Sequence, residues 1–154
     1  MFDAVNFMST VYNETNDTKR INCPAGEYMA QITKVEPRSG IIGKGERTGE
    51  TWAGLALTCD VQDEGVKAFC QRDKVIVTAN LMLDLTAQGG LDMGKQRNIT
   101  LGQWREATGL NRPGQPFSPM MFTGQMVKIM VKHVPGFKNP EELVPEISGV
   151  VKAF

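Results

Sequence analysis

The chain has 154 residues, 41% of them apolar and 22% charged, a composition that supports one domain with a buried core and excludes a disordered chain. Seventeen basic and seventeen acidic side chains cancel, which argues against a globally basic nucleic-acid binder but leaves room for charge segregated onto one face. Cys23, Cys59 and Cys70 are an odd number with no CxxC pair, a pattern that argues against a disulfide framework or a zinc ribbon and suits a reducing cytosol.

The N-terminus lacks a basic segment before an apolar run, and no long apolar stretch follows, so neither a signal peptide nor a membrane span is expected. Residues 1–22 are polar and weakly patterned, with Phe2, Val5 and Phe7 placed to dock on a core. A short helix and an extended arm both fit them. Residues 23–154 are expected to form the folded domain.

Pro24 and Gly26 punctuate the start of a first strand, in which Tyr28, Ala30 and Ile32 alternate. A second strand from Thr51 to Val61 places Leu55, Leu57, Cys59 and Val61 in the same two-residue rhythm. Cys59 in that row reads as a buried free thiol. Trp52 falls out of phase with the row, which puts it on the outward face. Between the strands, residues 38–49 hold four glycines with Arg38, Lys44 and Arg47. Gly43-Lys44-Gly45 is not a phosphate loop, because GxxxxGK[ST] is absent and no helix follows.

Gln62 to Gly65 reads as a turn, Val66 to Gln71 as a short extended piece, and Lys74 to Asp84 as a long strand. Thr100-Leu-Gly-Gln103 fits a capping box that opens a helix, with Leu101, Trp104, Ala107 and Thr108 on one face and Gly109 as the stop. That phase makes Trp104 a core plug. The three prolines in residues 111–119 preclude regular structure. Residues 124–134 form the cleanest strand, with Val127, Ile129 and Val131 facing one way and Met126, Lys128, Met130 and Lys132 the other. A turn through Phe137 and Lys138 leads to a last strand over residues 146–152. The sum is a mainly β protein: a five-stranded antiparallel barrel, closed or partly open, with one short helix and an extended N-terminal segment.

Catalytic chemistry finds no support. The single histidine, His133, has no second histidine for a metal site, the serines lack a GxSxG context, and Asp60, Asp63 and Glu64 sit around a turn. No catalytic residue, metal ligand or cofactor is expected, and the chain does not read as an enzyme. Binding of single-stranded nucleic acid fits better, since it needs only basic groups and a few aromatic platforms. The candidates are Arg38, Lys44, Arg47 and Trp52 around the first loop, Phe69 with Arg72 and Lys74, Lys128 and Lys132 on the outward strand face, and Phe137 with Lys138 in the last hairpin.

Several segments in order resemble one family: Pro-x-Gly-Glu-Tyr-x-Ala-x-Ile-x-x-Val-Glu at 24–36, Leu-x-Leu-x-x-x-Val at 55–61, Leu-Gly-Gln-Trp-Arg-Glu-Ala-Thr-Gly-Leu at 101–110 and Gly-x-x-Val-x-Ile-x-Val-Lys at 124–132. The pattern, over roughly residues 22–153, resembles bacteriophage single-stranded DNA-binding proteins with an oligonucleotide-binding (OB) fold. The resemblance implies a five-stranded barrel that coats single-stranded DNA without sequence preference during phage replication, recombination or repair, in the cytoplasm of the infected bacterium. It implies further copies of the chain and phage or host replication and recombination proteins as partners, and no membrane. In such folds the loops joining strands 1–2 and 4–5, here 37–51 and 133–145, hold the strand. Many relatives end in an acidic tail that recruits replication partners, whereas this chain ends Val-Val-Lys-Ala-Phe154, a departure that puts partner recruitment through the C-terminus in doubt. A virion or assembly component, a small β-barrel with an N-terminal arm, is the alternative reading.

Overall fold

The computed structural model describes all 154 residues. Five antiparallel strands carry the fold: β1 (Gly26–Ile41), β2 (Thr51–Val61), β3 (Ile76–Met82), β4 (Met126–Pro135) and β5 (Leu143–Lys152). Three helices accompany them: α1 (Ala4–Ser9), α2 (Glu64–Cys70) and α3 (Ile99–Ala107), with a 3-10 turn at Pro119–Phe122. The sheet order is β3-β2-β1-β4-β5. This is a mainly β architecture with one five-stranded sheet.

β1 joins the two halves of the sheet. Its first six residues pair with β4, from Gly26↔Val131 to Gln31↔Met126. From Ala30 onward it pairs with β2, as far as Ile41↔Thr51. Between the pairs Ile32↔Cys59 and Lys34↔Thr58, Thr33 is an extra residue, and its hydroxyl donates to the Thr58 carbonyl at 3.4 Å. Such a bulge bends its strand and shifts the side-chain phase by one. Ala30 and Ile32 are therefore buried before the bulge, and Val35, opposite buried Leu57, is the half-buried inward residue after it.

The inward rows meet in one core. Leu55, Leu57, Cys59 and Val61 of β2, Val77, Ala79 and Leu81 of β3, and Val127, Ile129 and Val131 of β4 are all buried. Cys59 lies within it, and burial pushes its thiol pKa up to about 12, so the thiolate is absent at neutral pH. Cys23 and Cys70 are also buried and free, and burial pushes the Cys23 thiol up to about 11.

No ladder joins the outer strands β3 and β5. α3 stands against both of them. Its Trp104 and Gln103 line a small cavity of about 130 Å³ together with residues 78–81 of β3 and 146–150 of β5. Leu101, Trp104 and Ala107 turn their shared face into the core. Trp104 is the core plug that its helical phase indicates, and Gly109, at φ 74°, lies just beyond the helix end as expected.

Two local expectations fail. Residues 66–71 are not extended, because α2 spans Glu64–Cys70, started by the Asp63 carboxylate accepting from the Val66 amide at 2.9 Å. Val66 and Cys70, both buried, satisfy an alternating pattern and an i, i+4 pattern equally, and the cap decides between them. The capping box at Thr100 also does not form. The helix starts at Ile99, with Asn98 in place of Thr100 at the cap position, and the left-handed backbone of Asn98 (φ 51°) leaves its side chain free for other work. Residues 1–22 pack little on the body: α1 carries no buried residue, and Phe2 stacks only on Phe7, with centroids 5.2 Å apart. No helix is long and apolar enough to cross a membrane.

Because Trp104 fills the space between β3 and β5, Trp104→Ala should cost about 3–5 kcal/mol of stability. Urea unfolding measures this, and a loss below about 1 kcal/mol would contradict the plug role.

Candidate nucleic-acid interface

The register places Trp52 opposite Gly40 and Gly54 opposite Arg38. Residues paired this way share a face, so Trp52 and Arg38 are diagonal neighbours on the outward side of the sheet. Trp52 is half-buried. Its indole lies over Gly40: a Cβ at Gly40 would stand 2.6 Å from Nε1, 2.9 Å from Cε2 and 3.0 Å from Cζ2. The missing side chain gives the ring a seat on the neighbouring strand, a recurrent way of covering a strand glycine with an aromatic.

The loop beyond this pair turns back through Gly45 and Gly49, at φ 86° and 92°. Within it Arg47 Nε lies 2.6 Å from Glu50 Oε2, whereas Arg38 and Lys44 make no ion pair. On the same stretch of β1, the Lys34 ammonium lies 3.0 Å from Glu36 and holds that carboxyl below the usual carboxylate range. Positive charge is thus partly compensated around the ring, as the overall balance of charge requires.

Ile42, Arg47, Thr51, Trp52 and Ala53 line a cleft of about 700 Å³ together with Met82 to Leu85, Asp92 and Arg97; the chain leaving β3 runs beside β2 here, the Leu83 amide donating to the Ala53 carbonyl at 2.9 Å. Clefts of that size take small ligands or parts of larger ones. Six of its eleven lining residues are hydrophobic, and the lining includes two guanidinium groups and two carboxylates.

Asn98 fixes the far side. It is the one polar residue in the buried set. Its Oδ1 accepts from the Asp84 amide at 2.7 Å, its Nδ2 donates to the carbonyls of Asp84 and Asp92 at 2.9 and 3.0 Å, and its amide donates to Asp84 Oδ2 at 2.8 Å. Each such group left without a partner after burial costs about 1–3 kcal/mol. The clamp closes residues 84–98 into one unit, within which Leu85 bridges to Leu91.

Of the eleven residues singled out in the sequence, Arg38, Arg47 and Trp52 come together here, with Lys44 on the same loop. The others are dispersed. Phe69 is exposed on α2, and Arg72 lines a separate shallow depression with Glu64, Lys67 and Asp73, followed by Lys74 in the connection to β3. Lys128 and Lys132 lie on the outward side of β4, opposite Val151 and Glu146, and Lys132 is 3.8 Å from the Glu146 carboxylate. Phe137 and Lys138 project from the β4–β5 turn, which packs against the base of the N-terminal arm through Asn22 and Leu143 (3.1 Å) and Lys19 and Glu142 (3.5 Å).

Met82, Asp92 and Arg97 are absent from the residues singled out in the sequence, because nothing in residues 84–98 signals that the segment folds back toward Trp52. The one available sign is Asn98 beside Arg97, an asparagine placed where a left-handed turn can form. His133, near the end of β4, lies away from the cleft, its Nε2 2.8 Å from the Cys23 carbonyl. No group of three or more His, Cys, Asp or Glu side chains is placed to hold a metal ion. No protein-family model matches the chain, and no curated protein matches it.

The seat under Trp52 is testable. Gly40→Ala should push the indole off β1 and shift tryptophan emission to the red, whereas alanine normally improves on glycine in a strand. An unchanged spectrum with raised stability would show that the ring does not depend on Gly40.

Proposed function

We propose that the protein binds single-stranded DNA without sequence preference, in phage DNA replication, recombination or repair, through a partly open barrel of the OB type. Three features support the barrel reading: a first strand bent at a bulge and shared between β2 and β4, the order β3-β2-β1-β4-β5, and a helix laid across the gap between the outer strands. The observation that carries the functional reading is Trp52, seated over Gly40 beside Arg38 and Arg47 at the mouth of the β1–β2 loop. An aromatic face next to cations is what a base and its phosphate require, and Arg38, unlike Arg47 with its Glu50 partner, makes no ion pair. The site on this reading is cytoplasmic, and further copies of the chain and replication or recombination proteins are its partners.

A second reading, a phage particle or assembly component, draws on the arm. Phe2, Val5, Met8, Val11 and Tyr12 are all largely exposed, and a neighbouring subunit would cover them.

Titration with oligo-dT decides between them. DNA binding predicts quenching of tryptophan emission at micromolar protein, and stacking at about 1–3 kcal/mol per base means that Trp52→Ala weakens binding about tenfold or more. With roughly three phosphates neutralised, the affinity should fall with salt at a log–log slope near −2. No binding at micromolar protein, together with a mass that climbs with concentration and falls on deleting residues 1–12, would favour assembly instead.

A further inference from the structure

We infer that the segment between β3 and α3, through Arg97 and Lys95, is the second jaw of the single-strand site, and that the β4–β5 turn is not part of it. This rests on the DNA-binding reading and specifies where the strand runs. Two loops can grip the same nucleotides only if they face one another. The β1–β2 loop begins where Ile41 pairs with Thr51. The β4–β5 turn lies beyond the other end of β1, where Gly26 pairs with Val131. At about 3.3 Å per residue, some 45 Å of strand path separates Gly26 from Gly40. The segment after β3, by contrast, lines the Trp52 cleft together with the β1–β2 loop, Arg97 from the one and Arg47 from the other.

The backbone around Arg97 supports a role beyond connection. Only three non-glycine residues in the chain have positive φ, and two of them, Gln96 (62°) and Asn98 (51°), bracket Arg97. Side-chain-bearing residues hold that conformation only where their surroundings enforce it, and such places concentrate at binding sites. Here the Asn98 clamp enforces it, and Arg97 is delivered to the cleft. Its nearest carboxylate, Asp92, is 3.8 Å from Nε, a loose pair that a phosphate can replace, because the Asp92 carboxylate already accepts from the Gly94 amide at 2.9 Å. Lys95, exposed and without an ion pair, stands two residues away on the same turn. With Asp84 and Asp92 in the lining beside Arg47 and Arg97 the cleft is neutral overall, so it suits one or two phosphates beside a stacked base more than a long polyanion.

The experiment compares oligo-dT binding of the wild type, of Lys95→Gln/Arg97→Gln and of Phe137→Ala/Lys138→Gln over a salt series. All four positions are exposed, so the fold should survive, and matching circular dichroism and unfolding midpoints would establish that. The first variant should bind about tenfold more weakly, with a log–log salt slope shallower by about 0.7 for each phosphate no longer neutralised, while the second stays within about twofold of wild type. If the wild type binds and the first variant matches it while the second weakens, the jaw assignment is overturned and the DNA-binding reading stands. If the wild type itself fails to bind, both fall.

Discussion

The fold depends on one extra residue in one strand. β1 must belong to two ladders that face different ways, and Thr33 allows it to do so. Without the bulge the Ala30–Ile32 rhythm would continue into Lys34 and Glu36, turning a salt-bridged pair toward the core and Val35 toward solvent. With it, Ile32 ends one inward row and Val35 begins the next. The chain then wraps far enough for β3 and β5 to approach across α3, and Trp104 fills what the sheet leaves open. Hydrogen bonds at the bend reinforce this geometry, with the Ile32 amide donating to Gln125 at 2.9 Å and the Gly124 amide donating to Ile32 at 2.7 Å.

The same bend sets the site. It directs the second half of β1, with β2, away from β4 and β5, so the β1–β2 hairpin runs out beyond the core and Ile41 is largely exposed. On that projecting hairpin Gly40 leaves room for the Trp52 ring, and the Asn98 clamp holds the segment whose Arg97 lines the same cleft. Two local devices on separate segments thus build one cleft. The clamp uses hydrogen bonds and the seat uses an absent side chain, so neither needs net charge. That suits a chain whose charges cancel.

Much of the fold is legible in the sequence because it follows from period. The rows Leu55–Val61 and Val127–Val131 are inward as their alternation says, and the Leu101–Trp104–Ala107 face is buried as helical spacing says. The failures are equally physical. α2 is obscured because Val66 and Cys70 fit both periods over so short a span, and only the Asp63 cap distinguishes them. The start of α3 is misplaced because Thr100-Leu-Gly-Gln103 has the residues of a capping box, while Asn98 is committed to Asp84 and Asp92, a tertiary demand with no local signature. The site is half legible. Trp52 announces itself by being out of phase, and the loop cations by their glycine context. Arg97 cannot be read, since its place depends on hydrogen bonds between Asp84 and Asn98, fourteen residues apart. The remaining candidates stand out by chemical type alone, and the fold scatters them.

The most direct test of the proposed DNA binding asks where oligo-dT contacts the protein. Ultraviolet cross-linking of oligo-dT to the intact protein, followed by peptide mass spectrometry, identifies the residues nearest the bases. Adducts are expected in residues 42–54, centred on Trp52, and in residues 82–97, which line the same cleft. Adducts confined to Phe69 on α2 or to Phe137 in the β4–β5 turn would contradict a site built around Trp52.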